Sequence, residues 1–343
     1  MLLDKTKIKP FGLLKNRSVM SAMTRNFSPN HLASSKTVDY YQKRAQGGVG
    51  LILTEATIVH SSGDGYVDVP YISNIKEAES WIPVINAVHK ENTKIVSQLW
   101  HCGRISHSDF TGGKPPVSST NKRAAGQNRQ NSKEFGIPRA LTINEIPEIY
   151  EMFATSANLA LKVGFDAIQL HFGHGYLIDQ FLDAKVNDRK DQYGGSVVNR
   201  CRFAIELLKR VTEEVPAEKV IIRISPSRFM GQIYNWDDLD EMLEHLLKNF
   251  WALGVRCIDI SCANANYFDT SGLVIKKARN LWNGTIIGGA SLSFEEANDE
   301  IYSKNLDLVT WGRAFIANPN LIELFANGCD LNEFNYNMLK TLD

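Results

Sequence analysis

The chain has 343 residues, of which 43% are hydrophobic and 22% are charged, and its 38 basic side chains balance 38 acidic ones. This composition is typical of a globular protein, and the zero formal charge argues against a nucleic-acid groove or an anionic membrane surface as the main partner. We therefore expect a small-molecule substrate and either a monomer or a homodimer. The length suits one barrel with insertions, which predicts a single domain over residues 1–343.

The cysteines and the apolar runs predict a cytoplasmic protein. The five cysteines are odd in number and scattered, as expected of reduced thiols rather than of a disulfide framework or an iron–sulfur cluster. The opening segment MLLDKTKIKPFGLLKNR lacks the apolar core of a signal peptide. No later run approaches the roughly 18 apolar residues of a membrane span.

Short apolar runs alternate with amphipathic stretches about eight times, which is the pattern of a parallel (β/α)8 TIM barrel, an α/β fold. The predicted strands cover residues 18–22, 49–54, 94–99, 166–170, 220–224, 257–261, 285–288 and 308–311. A doubly wound open sheet is the alternative, but no G-x-G-x-x-G follows a strand.

Residues 101–139 break the alternation with a polar stretch that contains GG, PP and SS. This composition predicts a long excursion after strand three, on the face where the strands end. We interpret the excursion as a solvated rim, and a lid over the substrate is the second reading.

Chemistry in such a barrel collects at the carboxyl ends of the strands, so the residues there are the site candidates. The turns after strands seven and eight contain Gly289, Ala290, Ser291, Gly312 and Arg313. Their backbone N–H groups and the guanidinium can hold a phosphate dianion, although tight βα turns alone would also explain the glycines. From the residues alone, the groups at the strand ends suggest a binding site for a phosphorylated, flat heterocycle that forms hydrogen bonds.

Three polar rings follow the fourth predicted strand in the segment HFGHGYL, namely His171, His174 and Tyr176. Gly173 and Gly175 predict a tight turn, on which two imidazoles and a phenol can converge on one small polar atom. Such a set can polarise a carbonyl and deliver a proton. A structural role for the histidines remains open. A metal is the other alternative, but no Cys or acidic residue nearby has zinc spacing, so no metal is predicted.

The segments HFGHGYL, QFLD, N-x-R and D-x-YGGS-x-x-NR-x-RF together resemble the signature of the old yellow enzyme family, the FMN-dependent ene-reductases and NAD(P)H:flavin oxidoreductases. QLWHCGRISH resembles the third-strand motif of its bacterial branch, and the likeness runs from about Pro10 to about Leu324. The resemblance implies that His171 and His174 bind a carbonyl or nitro oxygen of the substrate. It also implies that Tyr176 protonates the substrate carbon next to that carbonyl or nitro group.

The resemblance further implies FMN as the cofactor and NADH or NADPH as the reductant. Thr24 in MSAMTRN would contact the flavin carbonyl near N5, and the backbone of Ala56 in TEAT would face the pyrimidine edge. Gln98 and Arg223 match the positions at the N3/O2 and N1/O2 edges. The other expected cofactor-binding residues are Ala22, Met23, Gly289, Ala290, Ser291, Gly312 and Arg313, and the expected substrate-pocket residues are Trp100 and Phe172.

Several of these residues also have a purely structural reading. Thr24 can be a strand residue with a satisfied hydroxyl, and Gln98 can be a buried amide that pairs with backbone. Arg223 can form an internal ion pair with Glu55. Trp100 can be plain core.

The implied reaction is a ping-pong hydride transfer from NAD(P)H to flavin N5 and then to the β carbon of an activated alkene, such as an enone, a maleimide or a nitroalkene. Tyr176 would protonate the α carbon. One alternative is an FMN-dependent amine dehydrogenase or demethylase on the same barrel, and another is a non-catalytic flavin-binding barrel. A flavin-free aldolase is the last alternative, but the strand ends contain no lysine for a Schiff base.

Overall fold

The computed structural model describes residues 1–229, 231–263 and 265–343. Within them, eight parallel strands close into a barrel in which each strand pairs with the next along the chain and the last pairs with the first. These strands are β1 (Ser18–Met20), β2 (Leu51–Ile58), β3 (Lys94–Trp100), β4 (Ala167–His171), β5 (Val220–Ile224), β6 (Cys257–Ile260), β7 (Thr285–Gly289) and β8 (Leu308–Trp311). All eight predicted strands are confirmed, and β2 differs most because it continues past residue 54 to Ile58.

Helices surround the barrel and complete the predicted (β/α)8 fold. The main ones are α1 (Ser35–Gln46), α2 (Ile82–Lys90), α3 (Ile146–Lys162), α4 (Val197–Glu214), α5 (Leu239–Ala252), α6 (Ser271–Leu281), α7 (Phe294–Tyr302) and α8 (Leu321–Asn327). Shorter helices cover Ile75–Glu79, Leu177–Leu182 and Arg313–Ala317, and 3-10 turns cover Pro29–His31, Ser61–Gly63, Ala217–Lys219 and Tyr336–Lys340. None of the helices in the described ranges is long and apolar enough to cross a membrane.

Local sequence explains where these helices begin and which face they bury. At the start of α7, Glu296 N–H donates to Ser293 Oγ (3.1 Å) and Ser293 N–H donates to Glu296 Oε2 (2.7 Å), so two otherwise unpaired N–H groups are satisfied. Along α4, Phe203, Leu207 and Val211 recur every four residues and are fully buried. This spacing gives α4 an apolar stripe against the core.

Apolar side chains fill the barrel interior at the amino-terminal ends of the strands. A short antiparallel hairpin, Thr6–Ile8 with Gly12–Leu14, covers this end of the barrel. The cluster consists of Ile8, Phe11, Leu14, Val19, Leu51, Leu53, Val96, Ala167, Ile221, Cys257, Ile287 and Leu308. We call it the apolar plug, and it makes this half of the barrel a packed core rather than a pore.

The excursion between β3 and α3 carries two small sheets of its own. Val117–Ser118 pairs in parallel with Arg139–Ala140, and Gln127–Asn128 pairs antiparallel with Lys133–Glu134. Asn128 Nδ2 donates to the carbonyl of Gly65 (2.9 Å), in the loop after β2. The predicted long excursion is therefore confirmed, and it lies against the loops at the carboxyl end of the barrel. After β5, Ser227–Phe229 pairs antiparallel with Ile233–Asn235.

Candidate active site

Polar side chains form a layer above the apolar plug, because inward-facing residues recur every second position along a strand. In β4, Ala167 belongs to the plug, whereas Gln169 and His171 follow it at this spacing. The strand register aligns His171 with Arg223 of β5, and Arg223 with Asp259 of β6. Three neighbouring strands thus deliver an imidazole, a guanidinium and a carboxylate to one region.

The turn after β4 gathers the three predicted rings. His174 and Gly175 adopt positive φ angles of 58° and 79°, and His174 N–H donates to Ser225 Oγ (2.6 Å). The rings of His171 and His174 lie 4.9 Å apart at 84°, and those of His171 and Tyr176 lie 5.2 Å apart at 73°. The tight turn expected from the glycines therefore brings two imidazoles and a phenol together.

Burial keeps all three rings uncharged. It lowers the pKa of His171 and of His174 well below the usual value for histidine, and the nearby positive charge of Arg223 lowers both further. Burial also raises the pKa of Tyr176 well above that of a free phenol, and the phenol of Tyr66 adds to this effect. At neutral pH each imidazole then carries one N–H and Tyr176 carries its O–H, so each ring can donate one hydrogen bond.

Tyr66 and Trp100 hold the phenol of Tyr176 in place. The hydroxyls of Tyr66 and Tyr176 lie 2.9 Å apart. The Trp100 ring lies 4.7 Å from that of Tyr176, edge to face, and 4.9 Å from that of Tyr66. Trp100 is buried and its indole N–H has no hydrogen-bond partner among the described residues. Trp100 is therefore more than plain core, because it lines a cavity together with Tyr176.

Two adjoining cavities lie at this end of the barrel. The smaller has a volume of about 70 Å³ and is lined by Ala22, Thr24, Ala56, Gln98, Trp100, His171, His174, Tyr176 and Arg223. The larger has a volume of about 440 Å³ and is lined by Ser21, Ala22, Met23, His174, Arg223, Ile260, Ser261, Ala263, Ala265, Gly289, Ala290, Ser291, Thr310, Gly312 and Arg313. The structure thus brings together every candidate site residue except Phe172.

Phe172 does not line either cavity. Its side chain is fully buried in the hydrophobic core, and its ring lies 6.1 Å from that of Phe250 in α5. The prediction that it belongs to the substrate pocket is wrong. The reason is the alternation of side chains: His171 faces the barrel interior, so the next residue faces the surrounding helices.

The larger cavity ends in close-packed backbone turns. Gly289 and Ala290 have φ angles of 131° and 90°. A Cβ on Gly289 would lie 2.8 Å from the Thr310 carbonyl oxygen, and a Cβ on Gly312 would lie 3.1 Å from Met23 Sδ. A side chain at either glycine would crowd this wall of the cavity. One detail of the sequence-based expectation is wrong, because Ala290 N–H donates to the Thr310 carbonyl (2.7 Å) and is not available to a phosphate.

Arg313 provides a cation at the same end of the larger cavity. It is the first residue of the short helix Arg313–Ala317, and it lines the cavity together with Gly312, which precedes the helix. Its guanidinium carbon lies 5.4 Å from the ring centroid of Phe334 and 6.0 Å from that of Tyr336. The Arg313 guanidinium thus lies close to two aromatic rings of the last part of the chain.

Arg223 connects the two cavities. Its Nη2 donates to Ser261 Oγ (2.9 Å) and Ser21 Oγ (3.4 Å), and its Nε lies 3.5 Å from Asp259 Oδ2. The Nε is buried and has no hydrogen-bond partner in the described part of the chain. Arg223 does not pair with Glu55, so the structural alternative proposed for it is wrong.

A chain of buried polar groups continues from Asp259 across the barrel. Gln169 Nε2 donates to Asp259 Oδ2 (2.9 Å), and Gln98 Nε2 donates to Gln169 Oε1 (2.6 Å). Gln98 therefore pairs with a side chain rather than with backbone, contrary to its structural alternative. Glu55 instead accepts a hydrogen bond from Arg25 N–H (3.2 Å).

The site residues predicted from the sequence do not include Tyr66, Gln169, Asp259 or Ser261. Gln169, Asp259 and Ser261 could have been found by counting inward positions back and forward from the strand ends, since all three follow the same two-residue spacing as His171 and Arg223. Nothing in the sequence indicates that Tyr66, 110 positions before Tyr176, would reach its hydroxyl.

Together these features fit the phosphorylated, flat heterocycle that the strand ends suggest. The larger cavity combines an unpartnered buried guanidinium N–H, a turn with little room for side chains, and a second cation at its far end. Among the described residues, no group of three or more His, Cys, Asp or Glu side chains is arranged to hold a metal ion.

Comparisons with known proteins agree with this geometry. The family model of the NADH:flavin oxidoreductase / NADH oxidase family matches residues 4–332. The putative 12-oxophytodienoate reductase 11 of Oryza sativa subsp. japonica is 35% identical over 94% of this chain and 89% of its own length. The 12-oxophytodienoate reductase 2 of Arabidopsis thaliana is 35% identical over 100% of this chain and 92% of its own.

Two solved structures also resemble this chain over almost its whole length. The old yellow enzyme homologue from Zymomonas mobilis superposes with a TM-score of 0.92 at 30% identity, and the match covers 99% of this chain and 96% of that one. Morphinone reductase in complex with tetrahydroNAD superposes with a TM-score of 0.89, also at 30% identity, over 98% and 93% of the two chains.

Proposed function

The chain belongs to the NADH:flavin oxidoreductase / NADH oxidase family, which includes the old yellow enzymes, and on this premise we propose that it reduces activated alkenes with electrons from NADH or NADPH. It is an FMN-dependent oxidoreductase. The observation that carries the proposal is the turn after β4, where His171, His174 and Tyr176 present three uncharged hydrogen-bond donors beside the cavity.

The residues that line the two cavities support one orientation of FMN. The turns at Gly289–Ser291 and Gly312–Arg313 would hold the phosphate, with N–H groups other than that of Ala290 and with the guanidinium of Arg313. The ring system would lie near Ala22, Met23, Thr24, Ala56 and Gln98, with Arg223 at one edge. When bound, FMN supplies the hydride-transfer chemistry, taking a hydride from the nicotinamide and passing it to the substrate.

His171 and His174 would bind the electron-withdrawing oxygen of an enone, a maleimide or a nitroalkene. Each neutral imidazole donates one N–H, and the nearly perpendicular rings allow both donors to approach one oxygen from different sides. Negative charge develops on that oxygen as the β carbon accepts hydride. Donors that are fixed and buried before the reaction stabilise this charge without reorganisation.

Tyr176 would donate its hydroxyl proton to the α carbon. Its raised pKa keeps it protonated at neutral pH, so it acts as an acid rather than a base. Tyr66 supports this role, since its hydroxyl lies 2.9 Å from that of Tyr176 and can replace the proton that Tyr176 gives away. Trp100 would exclude water from one side of the phenol.

We also propose that residues 1–343 form one FMN-binding domain that works in the cytoplasm on a small-molecule substrate, as a monomer or a homodimer. Support for the compartment comes from the cysteines, all five of which are free thiols, four of them buried. Such thiols suit a reducing environment.

The test is an anaerobic screen of the purified protein loaded with FMN. We expect NADH or NADPH to bleach the yellow colour, and cyclohexenone, maleimide or a nitroalkene to restore it. Bleaching of the oxidised flavin by an amine, with no reoxidation of the reduced flavin by any alkene, would favour a dehydrogenase or demethylase. A bound flavin that neither nicotinamide reduces would indicate a non-catalytic flavin-binding barrel.

A further inference from the structure

Ser261 lies directly after β6 and touches three polar groups with one hydroxyl. Its Oγ lies 2.9 Å from Arg223 Nη2, 3.0 Å from His174 Nε2 and 3.3 Å from the backbone nitrogen of Ala263. It is the residue through which the guanidinium between the two cavities contacts the second imidazole. The proposed reaction assigns no role to Ser261.

The protons at this hydroxyl can be assigned by elimination. A guanidinium N–H and a backbone N–H can only donate, so both Arg223 and Ala263 use the hydroxyl oxygen as an acceptor. The single hydroxyl proton is then directed to the third neighbour, His174 Nε2. That nitrogen therefore accepts, and because the ring is neutral, its one N–H must be at Nδ1.

The other imidazole has the opposite tautomer. Gly173 N–H donates to His171 Nδ1 (3.3 Å), so the proton of that neutral ring is at Nε2. The two rings thus offer different nitrogens, Nε2–H from His171 and Nδ1–H from His174. If His174 instead carried its proton on Nε2, its Nδ1 would be a lone pair and would repel the same substrate oxygen.

We propose that Ser261 is a positioning residue that fixes the tautomer of His174, so that its Nδ1–H, together with the Nε2–H of His171, faces the substrate oxygen. The part of the proposal that concerns substrate rests on the proposed function. The tautomer itself follows from the hydrogen bonds of the protein alone. Ser261 acts through His174 and Arg223 keeps the hydroxyl oriented.

The test measures the tautomer directly, on the full chain loaded with FMN and labelled with ¹⁵N in its histidine rings. Two-bond ¹⁵N–¹H correlation spectra distinguish Nδ1–H from Nε2–H, and His174→Gln assigns the signals by their loss. We expect the Nδ1–H form of His174 in the wild type and in Ser261→Thr, which keeps the hydroxyl. In Ser261→Ala we expect the Nε2–H form or a mixture.

A binding measurement adds a second readout, in which rescue by Ser261→Thr separates loss of the hydroxyl from a general loss of structure. In Ser261→Ala, the Kd for p-hydroxybenzaldehyde, measured by flavin difference absorbance, should rise about tenfold, which is the effect of losing one hydrogen bond. Ser261→Thr should restore it. Ser156→Ala is the matched control, because it removes another buried serine hydroxyl, which donates a long hydrogen bond of 3.5 Å to the Val59 carbonyl.

Two results would overturn the inference. One is a wild-type His174 in the Nε2–H form, which would refute the proposed tautomer even if Ser261→Ala does not fold. The other is an unchanged tautomer in Ser261→Ala. Neither depends on turnover: a protein that reduces no alkene would refute the proposed function, whereas the histidine spectra would still support or refute the role of Ser261.

Discussion

The two ends of the barrel are built from the same eight strands but have opposite chemistry. At the amino end the inward residues are Val96, Ala167, Ile221 and Cys257, all within the apolar plug. Two positions further along the same strands, the inward residues are Gln98, Gln169, Arg223 and Asp259, which form hydrogen bonds or ion pairs with one another.

This difference shows how one fold separates stability from reactivity. The side chains of the plug need no specific partners, and every apolar group buried there stabilises the folded state. The polar end must satisfy its buried donors and acceptors, and two donors that have no partner among the described residues, Arg223 Nε and the Trp100 indole N–H, belong to side chains that line the smaller cavity. Substitutions at the two ends should therefore have separable effects, and the following four predictions test this, from the largest expected effect to the smallest.

Tyr176→Phe at the polar end should slow alkene reduction by about 10²- to 10⁴-fold, because it removes the general acid. The rate at which NADH or NADPH reduces the flavin should change little, since that step needs no proton from Tyr176. Stopped-flow measurement of the two half-reactions checks this. Tyr302→Phe, at a phenol that is 77% exposed on α7, is the matched control. An equal loss in both half-reactions would refute the proton-donor role.

Phe11→Ala at the apolar end should lower the free energy of unfolding by about 3 to 5 kcal/mol, because it opens a cavity in the plug. Both half-reaction rates should stay at wild-type values while the protein is folded. The measurements are denaturant unfolding and stopped-flow kinetics. Leu13→Ala, on the same hairpin but 64% exposed, should change neither property. A slower alkene half-reaction in Phe11→Ala would show that the two ends are coupled.

Glu55, in β2 beside the polar layer, should make stability depend on pH. Burial raises its pKa from 4.5 to about 7, against the opposing effects of the Arg25 N–H and guanidinium. The folded state therefore binds a proton that the unfolded state has already lost, so this contribution is fully present below pH 4.5 and is lost as pH rises through about 7. The loss should be about 3 kcal/mol.

Unfolding of the wild type and of Glu55→Gln, measured across that pH range, checks this prediction. The amide cannot ionise, so the pH dependence should flatten in Glu55→Gln, whereas the exposed Glu323→Gln should follow the wild type. Parallel curves for Glu55→Gln and the wild type would refute the assignment to Glu55.

Asp259→Asn should raise the two-electron reduction potential of the bound flavin by about 30 mV, equivalent to about 1.4 kcal/mol. The reason is that the charge of Arg223 loses its nearest carboxylate, at 3.5 Å, and then favours the more negative reduced cofactor. Asp166→Asn is the control, since Asp166 lies just before β4 and pairs with Lys94 (2.7 Å) at the other end of the barrel. Equal potentials in Asp259→Asn and the wild type would contradict the electrostatic role of this pair.

Much of the fold could be predicted from the sequence because the patterns that indicate it involve residues close together along the chain. Each strand was marked by a short apolar run, and the glycines around His174 indicated the tight turn that gathers the three rings. The family signature lies in one contiguous segment around the same turn. These features depend on residues that are neighbours along the chain.

The errors concern the direction of a side chain or the hydrogen-bond or ion-pair partner of a polar group. Phe172 was expected in the pocket but faces α5, and Arg223 pairs with Asp259 rather than with Glu55. The N–H of Ala290 donates to the carbonyl of Thr310 and not to a phosphate. In each case the deciding contact comes from another strand or helix, which local sequence does not identify.

By itself, the sequence determined the eight-stranded barrel, the turn with its two imidazoles and phenol, and the end of the barrel where they lie, because periodicity and glycine positions act over a few residues. Only the tertiary structure decided that Tyr66 reaches Tyr176 and that Ser261 connects Arg223 to His174. Closing the barrel brings strands that are distant along the chain into register, and this register sets which donor meets which acceptor.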